Sequence, residues 1–264
     1  MTVAAASLQS EIVLQLPEEG AEPNNQDGAG GTPLLYATNA GNLESMGHLL
    51  RYQADYDDES LHIAARQLHV NAVKLLLDQG ASTILPGTVH CSNRIPLREL
   101  CRLANSNESP ARLKKALKVL CNATLDLQML ANGKSLVLLA LDNDSPLVTT
   151  RALLASCQKI QLSLNNDFNL YSKDTLRYSP ISYVRHFKCI TPFGHRSVNP
   201  HHDCCTLDTC PAPDLEKLLH AYGCHSRFWD DVAGANQPQG ACGLPSVVIA
   251  VQKEAEKARR EWDE

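Results

Sequence analysis

Residues Leu61 to Ser82 read LHIAARQLHVNAVKLLLDQGAS, and the organisation of the chain follows from them. Leu61, Ile63, Ala64 and Ala65 open one short helix, and Ala72, Val73, Leu75, Leu76 and Leu77 populate a second. Gln67 to His69 supply the break between them, and Gly80 ends the second helix as a left-handed C-cap. Two apolar helices joined so tightly lie antiparallel. A single pair of this size cannot bury its own apolar faces. It needs copies of itself on either side.

The stretch resembles an ankyrin repeat. That motif starts Thr-Pro-Leu-His-x-Ala-Ala, turns, and ends Leu-Leu-x-x-Gly-Ala. Ser60-Leu61-His62-Ile63-Ala64-Ala65 matches the start, and Leu76-Leu77-Asp78-Gln79-Gly80-Ala81 matches the end. Upstream, Thr32-Pro33-Leu34-Leu35-Tyr36-Ala37 opens a similar unit, which closes at Leu49-Leu50 before Ala54. The step from Leu34 to Leu61 is 27 residues, short of the ~33-residue ankyrin period. A truncated hairpin finger between Ala54 and Leu61 is therefore expected. Downstream, Ile95 to Cys101 and Ala116 to Leu120 form a third unit, and Lys134 to Leu154 a fourth. A degenerate fifth begins at Ser179-Pro180-Ile181 and resumes at Leu215 to Leu219. The resemblance implies an all-α ankyrin-repeat solenoid of about four to five helix-turn-helix units with short fingers.

Composition agrees with thin helix pairs. Hydrophobic residues make up 44% of the 264 but aromatics only 5%, so Leu and Ala carry the core. No run approaches the ~18 apolar residues of a membrane span. Met1 to Ala6 lacks the charged and apolar regions of a signal peptide. These features point to a cytoplasmic or nuclear protein whose ten cysteines are thiols or metal ligands before they are disulfides. The net charge of −5 resides in residues 1–30, which hold Glu11, Glu18, Glu19, Glu22 and Asp27 and no Lys or Arg. Beyond them the signs balance, so a general grip on nucleic acid is not expected.

Four segments follow. Residues 1–31 read as an acidic disordered segment, in which 5–16 can form one amphipathic helix with Leu8, Ile12, Val13 and Leu16 on one side. Residues 32–156 hold the repeats. Residues 157–242 form an irregular or degenerate repeat with a Cys/His-rich insertion, and 243–264 a charged C-terminal helix. A charged helix at that point suits either a fragment of a longer protein or a solvated end.

No catalytic signature is present. Asn132-Gly133-Lys134-Ser135 lacks the first glycine of a phosphate loop, because Gln128 stands there. The chemical candidate is the cluster Cys189, His195, His201, His202, Cys204, Cys205 and Cys210. It offers more ligands than the four that zinc takes. A zinc ion could hold this polar insertion in place of a core, but no Cys-x-x-Cys knuckle occurs, and a loose insertion with unrelated thiols is the simpler reading. No other cofactor is indicated. Cys91, Cys101, Cys121 and Cys157 read as small core residues.

What the family resemblance implies for binding is a protein partner, held by the concave face that the first helices line. The positions after the Ala-Ala of the motif are Asn39 and Ala40, Arg66 and Gln67, Arg102 and Leu103, and Leu141 and Asp142. Arg66 and Arg102, with Arg94 and Arg98 nearby, form a possible basic stripe. Its alternative is a solvated face of scattered charge. The resemblance also implies that His62 ties neighbouring repeats together. The reading is thus a non-enzymatic interaction module, with two alternatives: a zinc-stabilised C-terminal recognition element, or the targeting region of a larger enzyme.

Overall fold

The computed structural model describes residues 1–87, 94–103, 109–124, 135–164, 180–184 and 212–224. Among them every regular element is a helix. The helices come in pairs: α1 (Thr2–Ala6) with α2 (Ser10–Glu18), α3 (Pro33–Asn39) with α4 (Leu43–Arg51), and α5 (Ser60–Arg66) with α6 (Val70–Asp78). α7 (Pro96–Leu103) then pairs with α8 (Pro110–Ala123), and α9 (Leu136–Leu141) with α10 (Pro146–Ser156). The short α11 (Gln158–Ser163) follows, then α12 (Pro180–Tyr183) and α13 (Ala212–Ala221). First helices pack in the order α1, α3, α5, α7, α9, α12, and second helices in the order α2, α4, α6, α8, α10, α13. The result is a two-layer stack, each pair burying its apolar faces against its neighbours. No helix among the described residues is long and apolar enough to cross a membrane.

Local chemistry starts and stops these helices. The Thr32 hydroxyl caps α3 by accepting from Leu35 N at 3.0 Å, Asn42 caps α4 through Ser45 N at 3.1 Å, and Ser135 caps α9 through Leu138 N at 3.3 Å. Pro33, Pro110 and Pro146 stand in the first turn of α3, α8 and α10, where the missing N–H costs nothing. At the other end, α1, α3 and α5 close with one shared geometry. Gln9 N donates to Ala4 O, Asn42 N to Ala37 O and His69 N to Ala64 O, at 3.1, 2.9 and 2.9 Å. The residue before each donor, Leu8, Gly41 or Leu68, has a positive φ. This is a Schellman closure. The second helices repeat it with Gly20, Gln53 and Gly80 at positive φ.

Those closures correct the reading of residues 1–31. They are not a disordered linker but a helix pair in register with the next two. Leu8, Gly41 and Leu68 stand 33 and 27 residues apart, as do Gly20, Gln53 and Gly80. Val13, Met46 and Val73 occupy matching positions and are fully buried. The single helix expected over 5–16 is broken at Leu8, which is 61% exposed rather than on a common apolar side with Val13. The acidic loop that follows is held in place. Asn24 Nδ2 donates to Gln53 O at 3.2 Å, and Asp27 accepts from the N–H groups of Ala29 and Gly31 and from the Tyr36 hydroxyl. Composition judged the segment alone, whereas its apolar residues bury against α3 and α4, which need a cover on that side. With this pair the stack holds six helix pairs among the described residues, where four to five were expected.

The finger between Ala54 and Leu61 is a compact turn, as its length requires. Asp57 N donates to Asp55 Oδ1 at 2.9 Å, and Ser82 N to Asp57 Oδ1 at 2.8 Å, so one finger ties to the next. The C-terminal helix expected over 243–264 lies outside the described residues.

Candidate partner-binding surface

First helices in such a stack are enclosed by neighbours on both sides and by their own partner behind. Every residue from Ser60 to Ala65 of α5 and from Leu136 to Leu141 of α9 is buried. Side chains therefore reach solvent mainly at the C-terminal ends, where the chain turns. Asn39 and Gln67 are exposed there, and Gln67 Nε2 donates to Asn39 Oδ1 at 3.3 Å. His69 Nε2 reaches the Asn39 carbonyl at 3.4 Å. Farther along, Asn143 Nδ2 donates to the carbonyls of Cys101 and Arg102 at 3.2 and 3.1 Å, and the Tyr183 hydroxyl donates to Asp142 Oδ1 at 2.6 Å. In each case a side chain of one pair binds the first-helix end of the pair before it. The outcome is a polar ledge whose exposed members are Asn39, Gln67 and Arg102, backed by the buried Asn143, which fixes the Arg102 backbone, and the buried Tyr183.

The basic stripe needs correcting. Arg98 is only 2% exposed, and burial pushes its guanidinium below its ordinary pKa. It sits inside the stack, out of a partner's reach. Arg66 and Arg94 converge on Glu99, whose side chain is completely buried. Arg94 Nε lies 2.7 Å from Glu99 Oε2, and Arg66 Nη1 lies 3.7 Å from Oε1. A carboxylate between two of the four guanidinium groups offsets much of the stripe's charge. Leu141 is likewise buried rather than offered to a partner. Glu99 and Asn143 carry much of this geometry, and the sequence reading passed over both. The available signal was Glu99 within Leu97-Arg98-Glu99-Leu100-Cys101, where an enclosed first helix makes any charge an interior one.

His62 is a fastener. Its ring is buried, and Nε2 donates to the Leu85 carbonyl at 3.0 Å, holding the segment after α6. Burial is the chief reason its pKa lies below the ordinary 6.5. Asp58 accepts from the Thr32 hydroxyl across the preceding boundary, between the α3–α4 and α5–α6 pairs, and burial pushes its carboxyl above the ordinary 3.8. Cys101, Cys121 and Cys157 are buried thiols, while Cys91 lies outside the described residues. Also outside them are all seven candidate zinc ligands, Cys189, His195, His201, His202, Cys204, Cys205 and Cys210. Among the described residues no group of three His, Cys, Asp or Glu could hold a metal ion.

Comparison with curated proteins gives no match. A family model for ankyrin repeats, of three copies, matches residues 1–85, the span of the three pairs α1 to α6. Helix pairs with matching closures at Leu8, Gly41 and Leu68, over the residues that this family describes, identify residues 1–85 as three ankyrin repeats.

Proposed function

We propose that the chain is a non-enzymatic module that binds a protein partner along the ledge at the ends of its first helices. Ankyrin repeats are in general protein–protein interaction modules, and the ledge is what supports this particular face. Its residues are fixed pair to pair: Gln67 binds Asn39, and the buried Asn143 and Tyr183 hold the Arg102 backbone and Asp142. A surface arranged before binding gives up less side-chain entropy when a partner docks.

The test is comparative capture from native cells with the full chain and an Asn39→Arg, Arg102→Glu variant. Both positions are exposed, so stability should stay within about 0.5 kcal/mol of the parent. Proteins retained by the parent and lost by the equally stable variant support the ledge. An identical retained set rules it out.

A further inference from the structure

The second-helix layer carries a cleft that meets the ledge at His69. It lies where α4, α6 and α8 run side by side, with a volume of about 560 Å³. Lys74 of α6 and Arg112, Lys115 and Lys118 of α8 line it, and all four are exposed. The ion pairs among the described residues are made by other cations. α8 contains no acidic residue from Pro110 to Ala123, so nothing within the helix offsets this charge. Steps of three residues put Arg112, Lys115 and Lys118 on one strip, about 9 Å from first to last at 1.5 Å per residue.

Packing does not require that strip. α8 buries Leu113, Ala116, Leu117, Leu120 and Cys121 on its other side, and like charges at this spacing are mildly destabilising. The rest of the lining combines aliphatic side chains with the polar His69 and Asn71. Leu43 is 39% exposed, and Val70 and Val119 are partly exposed beside it. Cations in a row next to uncovered aliphatic side chains suit an occupant that is acidic and apolar together. A single phosphate is shorter than the strip and would leave the aliphatic wall wet.

We propose that this cleft binds an acidic segment of a partner protein, with carboxylates along Arg112, Lys115 and Lys118 and an apolar side chain against Leu43, Val70 and Val119. Exposed ion pairs are individually weak and screened by salt. Affinity then depends on several acting together with the apolar anchor, and it falls as ionic strength rises.

The probe is a fluorescein-labelled twelve-residue peptide with four glutamates and one leucine, titrated with the full chain at low salt and followed by anisotropy. Saturable binding is expected, at least tenfold weaker in a Lys115→Glu, Lys118→Glu variant and clearly weaker in Arg112→Gln. Arg51→Glu, outside the cleft, should leave it unchanged. Replacing the peptide leucine with serine should weaken binding at least threefold. Thermal unfolding of each variant shows that the stack is intact. Absence of saturable binding, or equal binding by the parent and the double variant, overturns the proposal. A serine peptide that binds as well as the leucine one, with displacement by tripolyphosphate, would reduce the cleft to a plain anion site and also overturn it. Self-association of the parent in sedimentation, abolished in the double variant, would assign the cleft to a second copy of this chain instead.

Discussion

Arg94 Nε donates to Glu99 Oε2 at 2.7 Å, with the Glu99 side chain wholly inside the stack. Arg66 approaches the other carboxylate oxygen at 3.7 Å and keeps about a third of its side chain in water. The two arginines should therefore differ in weight. Glu99→Ala leaves Arg94 facing an apolar interior without its partner and should cost about 3–5 kcal/mol. Arg66→Ala should cost less than about 1 kcal/mol, because its pairing is long and partly hydrated. Urea denaturation of both variants decides this. Equal losses would contradict the assignment of Arg94 as the main partner.

The left-handed positions give a pair of opposite expectations. Gln53 has φ +61 where the neighbouring pairs have Gly20 and Gly80. Gln53→Gly relieves an L-residue of that conformation and should stabilise by roughly 1 kcal/mol. Gly80→Ala meets only the Tyr56 hydroxyl at 3.7 Å, so its cost is conformational, again roughly 1 kcal/mol but destabilising. Thermal melts should move in opposite directions. Movement in the same direction would mean that these closures are not equivalent.

Ala64 is fully buried on a first helix packed between α3 and α7. Ala64→Arg forces a charge and a long side chain into that contact and should cost several kcal/mol, on the order of 4 or more. An unchanged unfolding midpoint would be incompatible with the stack.

His62 makes stability depend on pH. Burial lowers its pKa in the folded chain, so the unfolded chain binds the proton more tightly. Its contribution is fully present above the ordinary 6.5 and is lost as pH falls from there through the folded value. Denaturation midpoints should drop below about pH 6.5, and His62→Gln should flatten that part of the profile while lowering stability at pH 7.5. Asp58 works in the opposite sense, since its raised carboxyl favours the folded chain as pH falls.

Burial pushes the Cys101 and Cys224 thiols up to about 12. With so little thiolate, neither should react with iodoacetamide at pH 8 while the chain is folded. Peptide mass spectrometry should find both modified only after denaturant is added. Rapid native labelling of Cys101 would place α7 nearer the surface than it is here.

The helix pairs of α3 to α6 were legible because their signals are local: Thr32 and Pro33 at a start, alanines where helices meet, Gly80 at an end. The pair α1 and α2 carries the same closing signal in Leu16-Pro17-Glu18-Glu19-Gly20-Ala21. Pro17 and the acidic run behind it concealed this, since their composition suggests a chain that cannot bury itself.

By itself the sequence determined that the protein is a stack of helix pairs, because the turn residues and the spacing of Leu and Ala act within about one unit of chain. Tertiary structure alone decided which charges face a partner. Arg98 and Arg102 are four residues apart on one helix, yet one is buried and the other exposed, and only the packing of α7 against its neighbours separates them. The same holds for Lys74 and Lys118, which line one cleft across 44 residues of sequence. Burial is a property of what covers a side chain, and in a stack the covering surface comes from the next unit.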